Sequence, residues 1–310
     1  MVGMVPENGH PYSWSAIING YNPSEMAHCP YPTIYEYLQQ QPKSAFGIAG
    51  VRVTHIWCDD PKDAQRVARA SCIENVVECP PDVIGEVDAV CIPTDIGSEH
   101  LDRARPFIEL GIPIFIDKPL TDHETHLAQF VDWVRSGKPI MSSSAFRYAR
   151  EFEICRNGLT KIGGLRLITM TMAKSWERYG MHALEGVYRV LPTGLWDSIA
   201  NDSHAGREIL HARHGSGVDV VFAMAEDMSG GFGCMELYGT IGRIGAQFSD
   251  SFYAFKAQLT EFITYLRSGE AGVPFTETIE LAKLLIAGIK SREEGGRTVQ
   301  LTEILPSRLP

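Results

Sequence analysis

Short apolar runs alternate with helical patterns through the first half of this 310-residue chain, and the alternation stops near residue 150. A buried run followed by a helix, several times over, is how a parallel sheet covered by helices is written in sequence. Strands are expected over 2–5, 51–57, 87–92, 112–116 and 139–144. Helices are expected over 12–19, 61–70 and 97–110, the last ended by Gly111, and again where Leu127, Phe130, Val131 and Val134 share one face. Between residues 20 and 50 four prolines (Pro23, Pro30, Pro32, Pro42) break the rhythm around a short helical piece at 34–41. This stretch reads as an insertion over the sheet edge or the mouth of a ligand site.

Beyond residue 150 the strands follow one another directly. Runs at 164–172, 194–199, 207–213, 218–224, 232–238 and 243–248 are separated by Gly, Asp, Ser or His turns, which points to an antiparallel sheet. A helix over 181–190 interrupts early. Two amphipathic helices finish the chain, one facing inward with Phe255, Leu259, Phe262, Ile263 and Leu266, the other with Ile279, Ala282, Leu285, Ile286 and Ile289. The fold class expected is α/β: an N-terminal Rossmann-like, doubly wound parallel sheet over residues 1–120, with extra α/β structure to 149. A C-terminal α+β domain with a mostly antiparallel sheet follows over 150–310.

Composition removes several classes. A net charge of −10 opposes nucleic-acid binding, which needs a basic surface. No apolar run approaches the roughly 18 residues of a membrane-spanning helix. The first residues lack a basic region followed by an apolar stretch, so no secretion signal is expected. Seven scattered cysteines without a Cys-x-x-Cys pair fit a reduced, cytoplasmic protein. His211 with His214, and Glu151 with Glu153, lack a third ligand, so no metal is assigned.

The chemistry concentrates where two apolar strands end. Val87 to Thr94, then His100, then Ile112 to Asp117-Lys118-Pro119 bring small and polar residues to the carboxyl edge of a parallel sheet, where ligands bind in open α/β folds. Lys118 stands there with an ammonium able to donate to a substrate oxygen. After the second strand, Asp59 is placed to accept from a ribose 2′-hydroxyl and to repel a 2′-phosphate.

These residues resemble the Gfo/Idh/MocA oxidoreductases, whose hallmark is a Glu-Lys-Pro or Asp-Lys-Pro at a strand end, preceded by a Val-Asp-Ala-Val strand and a histidine on the next helix. Ala145-Phe146-Arg147-Tyr148, Gly180-Met181-His182 with Glu185, and Glu236 to Gly242 are similar to further family segments, so that the likeness runs from about residue 51 to 301. The resemblance implies Lys118 and His182 as the catalytic pair. It implies NAD, rather than NADP, held by Asn8, Gly9, His10, Asp59, Pro93, Thr94, His100, Asp117 and Arg147. Trp176, Arg178, Tyr179 and Glu185 would contact a sugar or cyclitol whose ring hydroxyl is oxidised or ketone reduced, in a homodimer or homotetramer.

Two departures stand out. Where the family often has an aspartate four residues before the histidine, this chain has Arg178, a cation able to grip an anionic substrate. Where G-x-G-x-x-G normally follows the first strand, it has Pro6-Glu7-Asn8-Gly9-His10-Pro11. Two other readings stay open: an NAD-dependent glycosidase or lyase using transient oxidation, and a non-enzymatic sensor on the same fold.

Overall fold

The computed structural model describes residues 1–305. In chain order the first half carries α1 (His10–Asn19), α2 (Pro23–Met26), α3 (Pro32–Gln39), β1 (His55–Ile56), α4 (Pro61–Ala70), β2 (Asn75–Val76) and β3 (Val90–Ile92). It continues with α5 (His100–Glu109), β4 (Ile114–Asp117), α6 (Glu124–Arg135) and β5 (Ile140–Ser143). The second half carries α7 (Glu153–Asn157), β6 (Leu165–Ala173), α8 (Trp176–Tyr188), β7 (Trp196–His204), β8 (Arg207–His214), β9 (Asp219–Ala225) and β10 (Cys234–Gly239). It ends with β11 (Arg243–Gln247), α9 (Ser251–Ser268), α10 (Phe275–Glu293) and β12 (Val299–Gln300).

The first sheet is parallel, with β3, β4 and β5 in one ladder and β1 and β2 in another. The N-terminal residues join the two ladders: Val2 N–H donates to Cys91 O (2.9 Å) and Gly3 N–H to Trp57 O (2.9 Å). The strand expected over 2–5 is therefore a single parallel bridge, Val2 to Trp57. Gly3 has φ 107°, and a Cβ there would lie 2.9 Å from the Thr94 side chain, so this close approach needs glycine. The strand expected over 51–57 shrinks to β1 for a related reason. Asn19 accepts from Val53 N–H (2.9 Å) and donates to Val53 O (2.8 Å), so a side chain of α1 takes the place of a strand neighbour.

The second sheet has the order β11-β10-β6-β9-β8-β7-β12 and is antiparallel except between β6 and β9. β7 runs on past the expected end at 199 to His204. The two-residue turn Ala205–Gly206, both at positive φ, matches the twist of a β7–β8 hairpin. Polar residues such as Asn201, buried and bonded to Glu208, hid this extension from an apolar count. α8 and α10 cover one face of the sheet, with the Trp176 indole N–H donating to Leu285 O (3.0 Å) between them.

Two features cross the division by sequence. The insertion packs on α1: a Cβ on Gly9 would lie 2.3 Å from Ile34 and 2.7 Å from Tyr31, and Tyr37 donates to Ser13. α9 returns from the second half to the first sheet, its Phe262 ring 5.4 Å from that of Phe115, both within one apolar cluster. Truncating a fully buried ring such as Phe115 to alanine costs about 3–5 kcal/mol. All seven cysteines are unpaired. No helix among the described residues is long and apolar enough to cross a membrane.

Candidate active site

Ile114, Phe115 and Ile116 are fully buried, which fixes β4 in the middle of the first sheet and delivers Asp117 and Lys118 to its carboxyl edge. β3 ends beside it in Pro93, Thr94 and Asp95, and α1 begins nearby after Asn8 and Gly9. From the second half α8 presents Arg178, Tyr179 and His182 to the same edge.

Lys118 is only 1% exposed. Its Nζ donates to Arg178 O (3.2 Å), lies 3.5 Å from Asp95 Oδ2 and stands over the Tyr179 ring at 5.0 Å. The other side of the pair is His182, whose ring meets that of Tyr179 edge-on at 5.1 Å. One aromatic ring thus contacts both Lys118 and His182. Burial, then the charge of Lys118, holds His182 well below its ordinary pKa, so the imidazole is neutral at physiological pH. Burial alone would raise Asp95, but Lys118 and Arg178 more than compensate and keep it ionised well below the usual carboxylate range.

His182 Nδ1 is fixed from behind by Ser144 Oγ at 2.6 Å, and Ser144 Oγ also accepts from Phe146 N–H (3.1 Å). A hydroxyl both donates and accepts, so this contact survives either tautomer and leaves Nε2 for a reacting oxygen. Glu185 accepts from Ser144 N–H (3.2 Å) and from Arg147, which in turn donates to Glu277 (2.6 Å). Expected to contact ligands, Arg147 and Glu185 instead form a buried ion pair that sets the loop carrying Ser144. Burial, opposed by Arg147, raises the Glu185 carboxyl.

Other expected residues are redistributed too. His100 is fully enclosed between Pro119 O (2.8 Å) and Thr94, ties the ends of β3 and β4 together, and offers no nitrogen to a ligand. Trp176, expected at the substrate, is core: it is 0% exposed and lies against Gly180 and Gly288. His10 Nδ1 lies 2.6 Å from Asp117 Oδ2, and its ring stacks on Trp14 at 5.2 Å. Asp59 is gripped by Arg103 (2.8 and 3.1 Å) and accepts from Met4 N–H (3.2 Å).

The Arg178 fork, expected at the substrate, is turned toward the loop that precedes α1 and the end of β3. It donates to both oxygens of Asp95 (2.9 and 3.2 Å), to Glu7 (3.0 Å) and to Pro6 O (2.8 Å). Asp95 and Ser144 escaped the sequence reading, although Ser144 directly follows β5 and Asp95 lies three residues beyond β3, which was the available signal.

The altered loop fits a dinucleotide phosphate in one telling respect. Asn8 is 3% exposed, its Oδ1 accepts from His10 N–H (2.8 Å), and its buried Nδ2 donor has no protein partner. A donor of this kind at a helix N-terminus suits an anionic oxygen. Among the described residues no group of three or more His, Cys, Asp or Glu could hold a metal ion.

Residues 32–142 match the oxidoreductase family with an NAD-binding Rossmann fold named Gfo/Idh/MocA. No curated relative matches the chain in sequence. Among solved structures, the fold is similar to a myo-inositol dehydrogenase from Corynebacterium glutamicum (TM-score 0.68, 17% identity, 97% of each chain covered). It is also similar to two Lactobacillus casei enzymes. The apo scyllo-inositol dehydrogenase has TM-score 0.70 and 13% identity, with 97% of each chain covered. The myo-inositol dehydrogenase, in complex with NAD(H) and myo-inositol, has TM-score 0.66 and 16% identity, over 82% of this chain and 90% of that one. Over residues 32–142 the chain is thus similar to the NAD-binding Rossmann fold of the Gfo/Idh/MocA oxidoreductases, and over its length it shares the fold of the inositol dehydrogenases above.

Proposed function

We propose that the protein is an NAD-dependent dehydrogenase or reductase acting on a ring hydroxyl or ketone of a sugar, a cyclitol or a derivative. The observation that carries this reading is the convergence of Lys118 and His182 on the Tyr179 ring. Bound NAD would supply the hydride acceptor. Asn8, Gly9 and His10 at the start of α1, Asp59 after β1, and Pro93 and Thr94 after β3 would hold it, with Asp117 carrying His10.

Lys118 stabilises negative charge developing on the reacting oxygen, an effect that is strong where water is excluded. His182 takes or returns the hydroxyl proton at Nε2 while Ser144 keeps hold of Nδ1. A ring such as Tyr179 packs against the C–H face of a sugar and so orients the hydroxyl between the two groups. Neighbours that are inositol dehydrogenases support a cyclitol-sized substrate. A homodimer or homotetramer through the open face of the second sheet is part of the same proposal. It is supported by Ile209 and Tyr238, which are exposed there, and multi-angle light scattering would test it.

The test is absorbance at 340 nm with NAD and a panel of sugars, cyclitols and sugar acids. Turnover with a polyhydroxylated ring substrate is expected. Failure of every panel member, with NAD demonstrably bound, would remove the substrate assignment.

A further inference from the structure

The loop after the first strand contains Glu7 where a pyrophosphate site normally has a small neutral residue. Its carboxylate does not stand alone. Lys174 Nζ lies 3.1 Å from Glu7 Oε2, and Arg178 Nη1 donates to the same oxygen at 3.0 Å. Both cations come from the second half of the chain, Lys174 from the residue after β6 and Arg178 from the first turn of α8. They therefore reach across the cleft onto the start of the nucleotide loop.

Two features mark this contact as poised rather than merely structural. Glu7 and Lys174 both have φ 65°, a left-handed backbone that residues other than glycine, asparagine and aspartate seldom adopt. Such outliers persist where the surroundings fix them and cluster at ligand sites. Glu7 is also 61% exposed, and exposed ion pairs contribute little, so its carboxylate is easily exchanged for a stronger anion. Lys174 is shared with the exposed Glu226 (3.1 Å), which keeps the ammonium at the cleft when Glu7 moves. Arg178 is likewise kept in place by Asp95.

We propose that Lys174 and Arg178 are ligands of the dinucleotide's pyrophosphate, and that Glu7 competes with the cofactor for them. The proposal rests on the dinucleotide reading of the α1 loop. It accounts for an acidic residue in a phosphate loop that has lost its glycines: part of the hold on phosphate passes from backbone amides to two side-chain cations, and Glu7 tunes its strength. A pyrophosphate carries more charge than one carboxylate and presents several oxygens to an arginine fork, so it wins the exchange.

Titration of the purified protein with NAD, followed by tryptophan fluorescence or calorimetry, tests this without turnover. Glu7→Gln should tighten NAD binding about 10-fold and Lys174→Gln should weaken it about 10-fold, the scale of one charge-assisted contact. Adenosine, which lacks the phosphates, should bind all three proteins alike. Circular dichroism checks that the variants are folded. NAD binding by the wild type with both variants unchanged, or with Glu7→Gln weakened, would overturn the competition while leaving the dinucleotide reading intact. Folded wild type and variants that all fail to bind NAD would overturn both.

Discussion

Ser144 Oγ and His182 Nδ1 are 2.6 Å apart, so the imidazole is oriented by a hydroxyl from the other half of the chain and not by a carboxylate on its own helix. Ser144→Ala should lower kcat by about 10-fold, the scale of one hydrogen bond to a group that changes charge. KM should move little and the pH profile should shift. Ser144→Thr should recover part of the loss. Unchanged pH–rate profiles in Ser144→Ala would show that the serine only fills space.

Lys118→Ala and His182→Ala should keep the fold and NAD binding and lose about 10²- to 10⁴-fold in turnover. Because burial and Lys118 lower the His182 pKa, the acid limb of kcat/KM for oxidation should lie below pH 6.5. An acid limb at or above pH 6.5 would conflict with His182 as the buried base.

The first sheet shows what sequence pattern can and cannot reveal. β4 was legible because Ile114, Phe115 and Ile116 form a continuous apolar run between Pro113 and Pro119, and β5 because Ile140 and Met141 follow Gly137 and Pro139. β1 was overread because Asn19, a helical side chain 34 residues away, pairs with Val53. At the site, Lys118 and His182 were singled out by motif resemblance, and the fold brings both against Tyr179. The partners that set their state, Asp95 and Ser144, were not, because only the meeting of α8 with the ends of β3 and β5 brings them together. Trp176 was misplaced because it was read from its nearness to His182 along the chain, and nearness in sequence cannot tell a ring facing a cleft from one turned into the core.

Arg178→Lys should lower kcat/KM roughly equally for neutral and acidic substrates. The fork faces Asp95, Glu7 and Pro6 O at the loop before α1, so the loss falls on the cofactor side of the cleft and not on the substrate. A loss of charge-assisted contacts of about 1.5–3 kcal/mol corresponds to roughly 10- to 150-fold. Selective damage to acidic substrates would restore an anion-recognition role.

Asp59→Ser should weaken NAD and strengthen NADP, each by about 10-fold. Removing the carboxylate ends the repulsion of a 2′-phosphate and frees Arg103 to meet it. Parallel titrations with the two oxidised cofactors decide this. Unchanged relative affinities would place the ribose elsewhere.

Stability should fall as pH drops from 7.5 to 5.5. Burial lowers the folded-state pKa of both His100 and His182 below 6.5, so under acid conditions the unfolded chain takes up protons that the folded chain refuses. The contribution is complete above about pH 6.5 and is lost as pH falls toward the folded values. Urea midpoints across this range should decline, and His182→Gln should flatten part of the slope. A flat wild-type profile would contradict two buried neutral imidazoles.

The return of α9 to the first sheet has a consequence for the birth of the protein. A nascent chain released as far as β5 already holds every strand of the nucleotide-binding sheet, but Phe115 and its neighbours lack the cover that Phe252, Leu259 and Phe262 provide. At a synthesis rate of about 5–20 residues per second, that greasy face waits several seconds for α9 to leave the ribosome. The nucleotide-binding half cannot finish folding first and then await its partner. Its last wall is delivered by the far end of the polypeptide, so the two halves mature together.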